Sequence, residues 1–288
     1  MSKSVLLKSS IAKKYWMAVT GLFLCLFLVG HLLGNLQLFS TGEEGRRAFN
    51  EYAYFMQTNP FIKVMSYLTY ISILFHAIDG ILLAVQNKKA RPVQYAMNNA
   101  NANSSSASRK MAILGSIIFI FIVTHMVNFW AKMHFGGIPL HTYKIEMGEQ
   151  GGQGVEAEQA FYYTHDFSSQ PIPVVEGIVV KNDLELYIET PSIKVGEGYK
   201  DLHSVVMAFF GKSSNGIEAN KMAWLAVLLY TISMAVLSFH LMHGFAAAFQ
   251  SLGIRHPRYT SLIANAGKLF SIVVPALFAI IPLYIFFS

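Results

Sequence analysis

At 288 residues, with 53% hydrophobic and only 13% charged side chains and a mean hydropathy of +0.42, the chain has too little polar surface for a soluble globule and the composition of a polytopic membrane protein. Its net charge of +6 does not mark a nucleic-acid binder, because the basic residues are not interleaved with aromatics on a soluble face and read instead as topology signals. The one cysteine, Cys25, lies inside an apolar run, which excludes an intrachain disulfide and an iron–sulfur cluster carried by this chain alone.

In chain order, Lys3, Lys8, Lys13 and Lys14 precede an apolar run from Tyr15 to Leu38. It is too long for a signal-peptide core and no small-residue cleavage site follows it, so a retained first span is expected. Further runs cover Phe61 to Gln86, Met111 to Met133, Met222 to Gln250 and Leu262 to Phe287. The predicted fold is an all-α integral membrane protein, a bundle of five transmembrane helices: helices I–III in 1–133, an outer loop insertion in 134–220 and helices IV–V in 221–288. Charge orients them. The N-terminus and the loops Asn87 to Lys110 and Ser251 to Ala266 hold Lys88, Lys89, Arg91, Arg109, Lys110, Arg255 and Arg258 and no acid, so they are predicted to be cytoplasmic. Apart from Asp79, every Asp and Glu lies in Glu43 to Glu51 or Glu146 to Glu218. Those loops and the C-terminus are predicted outside.

The loops carry weaker signals. Asn98 to Ser108 is almost all Asn, Ser and Ala between basic flanks, a linker or a docking face for an acidic partner. Gly148, Gly151, Gly152 and Gly154 have the wrong spacing for a dinucleotide fingerprint. In the long outer loop, Val179-Val180, Lys181-Asn182-Asp183, then Leu184, Leu186 and Ile188 read as a β-hairpin. Asp201 to Phe210 reads as a short amphipathic helix on the membrane surface. His134, His141, His165 and His203 lack regular metal-ligand spacing and are expected at the surface.

Five histidines fall inside the spans: His31, His76, His125, His240 and His243, the last of them three residues beyond His240 on the same helix. An ionisable side chain at bilayer depth is costly and is expected to face the bundle interior with a partner. Phe75, His76, Gly80, Ala84 and Gln86 recur in register as Phe239, His240, Gly244, Ala248 and Gln250. In each copy the glycine sits one turn beyond the histidine on the same face, where a missing side chain leaves room for a flat macrocycle. At about 1.5 Å per residue, His76 and His240 both lie roughly 15 Å from the inner boundary, whereas His31 and His125 lie roughly 24 and 21 Å from it. Four histidines on four helices at two levels are what two bis-histidine haems require. Taken singly, a histidine on an apolar face is more often a hydrogen-bonded core residue; the pairing in level is what favours ligation. Asp79 and His243 take the corresponding place three residues after the two histidines. They read as supporting groups that hydrogen-bond haem propionates or each other, or equally as a polar contact between helices.

Gly30-His31-Leu32-Leu33-Gly34-Asn35, Phe75-His76 with Gly80, and Phe239-His240 with His243-Gly244, together with Ala90-Arg91-Pro92-Val93, Ser108-Arg109-Lys110-Met111 and the following His125, resemble the cytochrome b membrane anchor of succinate dehydrogenase and fumarate reductase in its five-helix, two-haem form. The resemblance covers all five spans and leaves out most of His134 to Gly211. It implies two haem b groups, an outer one held by His31 and His125 and an inner one held by His76 and His240, with Gly34, Gly80, Asp79, His243 and Gly244 around them. It implies flavoprotein and iron–sulfur subunits on the cytoplasmic side of a bacterial inner membrane, and a membrane quinone, commonly menaquinone, as electron acceptor. On that basis the chain is the membrane subunit of a succinate:quinone oxidoreductase with no succinate or flavin site of its own.

Quinone reduction needs protons as well as electrons, which makes Asn35, Gln37 and Glu51 candidates near the outer level, with a plain loop charge the alternative for Glu51. Two other functions remain open on the sequence. A histidine-bearing transporter or channel would carry no chromophore. The haem-b subunit of another quinone-linked complex, such as a hydrogenase or formate dehydrogenase, would have no flavoprotein partner.

Overall fold

A computed structural model describes residues 9–90, 93, 106–147, 157–165 and 171–288. Lys3, Lys8, Arg91, Pro92, most of the Asn98 to Ser108 segment and the glycines Gly148, Gly151, Gly152 and Gly154 lie outside the described residues. Five helical runs are long and apolar enough to cross a membrane: Ser10–Phe39, Pro60–Lys89, Met111–Phe135, Ala223–Ser251 and Thr260–Phe287. Each exceeds the roughly 20 residues that a hydrocarbon core demands, the make-up of a multi-pass membrane protein. Their ends fall within a few residues of those read from hydropathy.

The chain divides into two compact units. The first comprises Met1–Asn35, Pro60–Thr124 and Val227–Tyr284. It contains α1 (Ser10–Asn35), α3 (Pro60–Lys89), most of α4 (Met111–His125) and of α6 (Ala223–Ser251) and α7 (Thr260–Phe287). Large apolar side chains such as Leu26, Phe61, Ile120, Leu262 and Leu269 point outward and exposed, as lipid-facing positions should. Buried beside large apolar residues such as Leu32, Leu83, Leu241, Val274 and Ile281 are small or hydroxylated ones: Ala18, Thr20, Thr69, Ser72, Ser233 and Ser271. Small residues let helix backbones approach, and the hydroxyls return their protons to their own helix. Thr69 bonds Met65 O at 2.9 Å and Ser233 bonds Leu229 O at 2.8 Å. Pro275 and Pro282 sit inside α7, tolerated because neighbouring groups in a bundle re-satisfy freed carbonyls.

The second unit comprises Leu36–Asn59, His125–Ala226 and Ile285–Ser288. It contains α2 (Gly42–Thr58), α5 (Leu202–Phe209) and two antiparallel three-stranded sheets. One sheet orders β1 (Thr142–Met147), β2 (Ala157–Tyr162) and β3 (Ile172–Pro173); the other orders β4 (Ile178–Lys181), β5 (Glu185–Ile188) and β6 (Ile193–Glu197). The expected hairpin is β4–β5, closed by the three residues Asn182, Asp183 and Leu184 between the paired Lys181 and Glu185, with positive φ at Asn182 and Asp183, a turn whose twist suits the strands. Two apolar clusters close the unit, Met133, Ile138 and Val205 in one and Leu140, Ile172 and Leu186 in the other.

Three expectations are corrected here. Glu43 to Glu51 is not a loop but the first half of α2, whose charged face carries Glu43, Glu44, Arg46 and Arg47. The Asp201 to Phe210 segment does form a helix, but it is not laid on a surface: His203, Ser204, Val205, Val206 and Ala208 are all buried. Asp201 caps it, accepting from Ser204 N at 3.2 Å. His141 and His203 are buried, not exposed, whereas His134 and His165 are at the surface as expected.

Candidate functional site

α3 and α6 bring His76 and His240 together, edge to face. Their ring centroids are 6.2 Å apart with planes inclined at 70°, the pairing that their common level along the two helices anticipates. Two imidazoles on opposite sides of one metal, each with a bond of about 2 Å and about another 1 Å to the ring centre, stand about 6 Å apart. The inclination is no obstacle, since each ring can rotate about its own bond to the metal. Among the described residues no three His, Cys, Asp or Glu side chains gather to hold an ion; an axial pair needs two, and the pair fits.

The neighbouring helices are cut back at both rings. A Cβ on Gly21 of α1 would lie 3.1 Å from His76 Cε1, and one on Gly115 of α4 would lie 3.6 Å from His240 Cε1. The expected glycines do something different. Gly80 and Gly244 face the methyl groups of Met17 and Met111, at 3.8 and 3.9 Å from where their Cβ would be. A second repeat becomes visible: Met17, Gly21 and His31 on α1 recur at one constant interval as Met111, Gly115 and His125 on α4. In sequence α1 and α3 thus align with α4 and α6, although α1 and α3 pack closely along their lengths and α4 and α6 do not. The interval was available in the sequence, but methionine and glycine are too common in apolar helices to stand out without the contacts.

Gly21→Val should push His76 off its position, because the contact at 3.1 Å is already tighter than ordinary van der Waals separation. A cofactor held by this pair would then be largely lost with the chain still inserted, read by absorbance per chain; Gly21→Ala should have a smaller effect.

The other intramembrane histidines have aromatic neighbours. His31 stacks on Phe27 at 5.3 Å and tilts against Phe278 at 5.6 Å. His125 closes the regular part of α4 and lies 5.3 Å from Phe129, at the start of a π-helical stretch, Met126–Ala131, an irregularity frequent at functional positions. Gly34 is buried on α1. Asp79 and His243 are half-buried on α3 and α6. The quinone candidates are engaged locally: Asn35 Nδ2 donates to His31 O at 2.7 Å, closing its own helix end; Gln37 lies in the turn Leu36–Phe39; and Glu51 pairs with Arg47 at 2.8 Å on the exposed face of α2.

A second polar cluster lies wholly within the second unit. Asp201, fully buried, accepts from Arg46 Nη2 at 2.6 Å and Nε at 3.1 Å, Asn50 Nδ2 at 2.8 Å and Asn215 Nδ2 at 2.9 Å. These donors hold its carboxyl well below the usual carboxylate range despite burial, which alone would raise it. Asn50 Nδ2 also meets His141 Nδ1 at 3.2 Å while its Oδ1 accepts from His203 N at 2.9 Å. An amide nitrogen can only donate, so His141 Nδ1 accepts and its Nε2–H donates to Glu43. Burial lowers His141, and pushes His203 down to about 4.

The acid behaviour follows. An unfolded imidazole takes its proton near pH 6.5 and the folded His203 only near 4, so the unfolded state binds more protons in between. Stability of this unit is full above about pH 6.5 and falls by roughly 3 kcal/mol as pH drops to about 4. His203→Phe should flatten that fall, measured by hydrogen exchange of 171–226 in the solubilised chain between pH 7 and 4; an unchanged profile would assign the acid response elsewhere.

No family model, curated protein or solved structure matches the chain.

Proposed function

We propose that this chain is the di-haem cytochrome b membrane anchor of a succinate:quinone oxidoreductase. The observation that carries the proposal is the edge-to-face pair of imidazoles, His76 and His240, 6.2 Å apart between two helices long enough to cross a membrane. These two residues would hold the inner haem. His31 and His125 would hold the outer one, on the strength of their common level in the sequence and their equivalent places in the repeat of α1 and α4. When bound, the haems supply one-electron carriers between a soluble donor and a membrane quinone, at potentials set by the axial imidazoles and their surroundings.

The chain's own residues do the rest. The helices supply four imidazoles set among apolar side chains, and keep Gly21 and Gly115 bare so that the rings of His76 and His240 have room. Lys88 and Lys89 end α3, and Arg109, Lys110, Arg255 and Arg258 lie in the segments without acids. They orient the chain with those segments in the cytoplasm of a bacterium and offer a basic face to an iron–sulfur subunit and its flavoprotein.

The test is isolation of the chain from its native membrane in mild detergent. A flavoprotein and an iron–sulfur protein should come with it, and succinate should reduce its chromophore, which a menaquinone analogue should reoxidise. A partner of the hydrogenase or formate dehydrogenase kind would replace the proposal with that complex. A colourless chain would leave a histidine-bearing transporter.

A further inference from the structure

We propose that Thr20 is a positioning residue that fixes the tautomer of His76 and makes the two axial ligands of the inner pair chemically unequal; this rests on the haem reading above. Thr20 is buried on α1. Its Oγ1 lies 2.8 Å from Trp16 O and 3.3 Å from Met17 O. Both are carbonyl oxygens, which only accept, so the single hydroxyl proton is committed to its own helix. The same Oγ1 lies 3.2 Å from His76 Nδ1. With its proton spent, the hydroxyl can only accept from that nitrogen. His76 Nδ1 therefore carries the proton, shared between Thr20 and the Met17 backbone that also hydrogen-bonds His76, and Nε2 keeps the lone pair with which an imidazole binds a metal.

His240 has no such support. Thr20 corresponds in the repeat to Leu114, one residue before Gly115, which has no hydroxyl to offer. His240 Nδ1 is buried without a hydrogen-bond partner among the described residues. A hydrogen bond accepted from the distal N–H raises the basicity of the ligating nitrogen. His76 is thus the stronger donor of the pair, and its donation favours the oxidised metal. The Thr20 hydroxyl, itself polarised by the Trp16 carbonyl it donates to, strengthens this effect.

The experiment is a potentiometric titration of both haems in the isolated complex, with electron paramagnetic resonance of the oxidised form, for wild type, Thr20→Val and Thr20→Ser. Valine has the same shape without the hydroxyl; serine keeps the hydroxyl. In Thr20→Val the potential of one haem should rise and its resonance should move while the other haem is unchanged, and haem retention at that level should weaken by about tenfold or more. Thr20→Ser should behave as wild type. Loss of one haem in the valine variant with retention in the serine variant supports the same assignment. A fully loaded Thr20→Val complex with both potentials unmoved overturns it, as does a serine variant shifted as far as the valine one, which would make the effect steric. Wild-type chain without haem would overturn the functional proposal and this one with it; the unmoved, loaded valine variant and the shifted serine variant each overturn this one alone.

Discussion

Replacing His76 or His240 by alanine should remove one haem from the chain and leave the other. In the proposed anchor His76 and His240 are the two imidazoles of the inner pair, 6.2 Å apart, so losing either leaves that site one ligand short. Loss of a single metal ligand from a two-ligand site is expected to be complete at ordinary haem concentrations, and succinate-dependent quinone reduction should drop to background because one carrier is missing. His31→Ala and His125→Ala should remove the other haem. His243→Ala should remove neither: His243 lies one turn from His240 on α6 but takes the place that Asp79 takes on α3, and a carboxylate there shows that the position does not require an imidazole. Pyridine haemochrome counts on each purified variant decide the matter. A haem lost in His243→Ala with both retained in His240→Ala would put the inner ligand on the wrong residue.

Asp201→Ala should unfold much of the second unit. The side chain is fully buried and joins α2, α5 and the segment around Asn215 through Arg46, Asn50 and Asn215, while also capping α5. Truncation takes the buried carboxylate from the largely buried Arg46 guanidinium and leaves it only the half-exposed Glu43; breaking one side of such a buried pair costs about 3 to 5 kcal/mol. Limited proteolysis across 171–222 should accelerate by two orders of magnitude or more, while α3 and α6 remain protected. A change below about 1 kcal/mol would show the network to be dispensable.

The five apolar runs were legible because a membrane span needs length and hydropathy and little else. The proximity of His76 and His240 was legible through their flanks: Phe75 with Phe239, Gly80 with Gly244 and Gln86 with Gln250 set the register, and equal distance to the glutamines set the level. What was not legible depended on contacts between distant segments. Gly21 and Gly115 look like any small residue in an apolar helix until an imidazole is found against each. α2 is so rich in charge that it reads as a loop, yet Arg46 and Asn50 on one face are turned to Asp201, far along the chain. His141 and His203 look like surface histidines because nothing near them in sequence announces burial; Glu43 and Asn50, on α2, provide their partners. β1 and β2 pair across 148–156 without a tight-turn signature, so only the β4–β5 hairpin, closed by Asn182, Asp183 and Leu184, could be read locally.

The most direct measurement is a reduced-minus-oxidised spectrum of the purified chain with haem counted against protein. Two b-type haems per chain are predicted, falling to one in His76→Ala or His240→Ala. A wild-type chain carrying fewer than two, or one whose spectrum is untouched by His240→Ala, would contradict the assignment of this protein as a di-haem anchor.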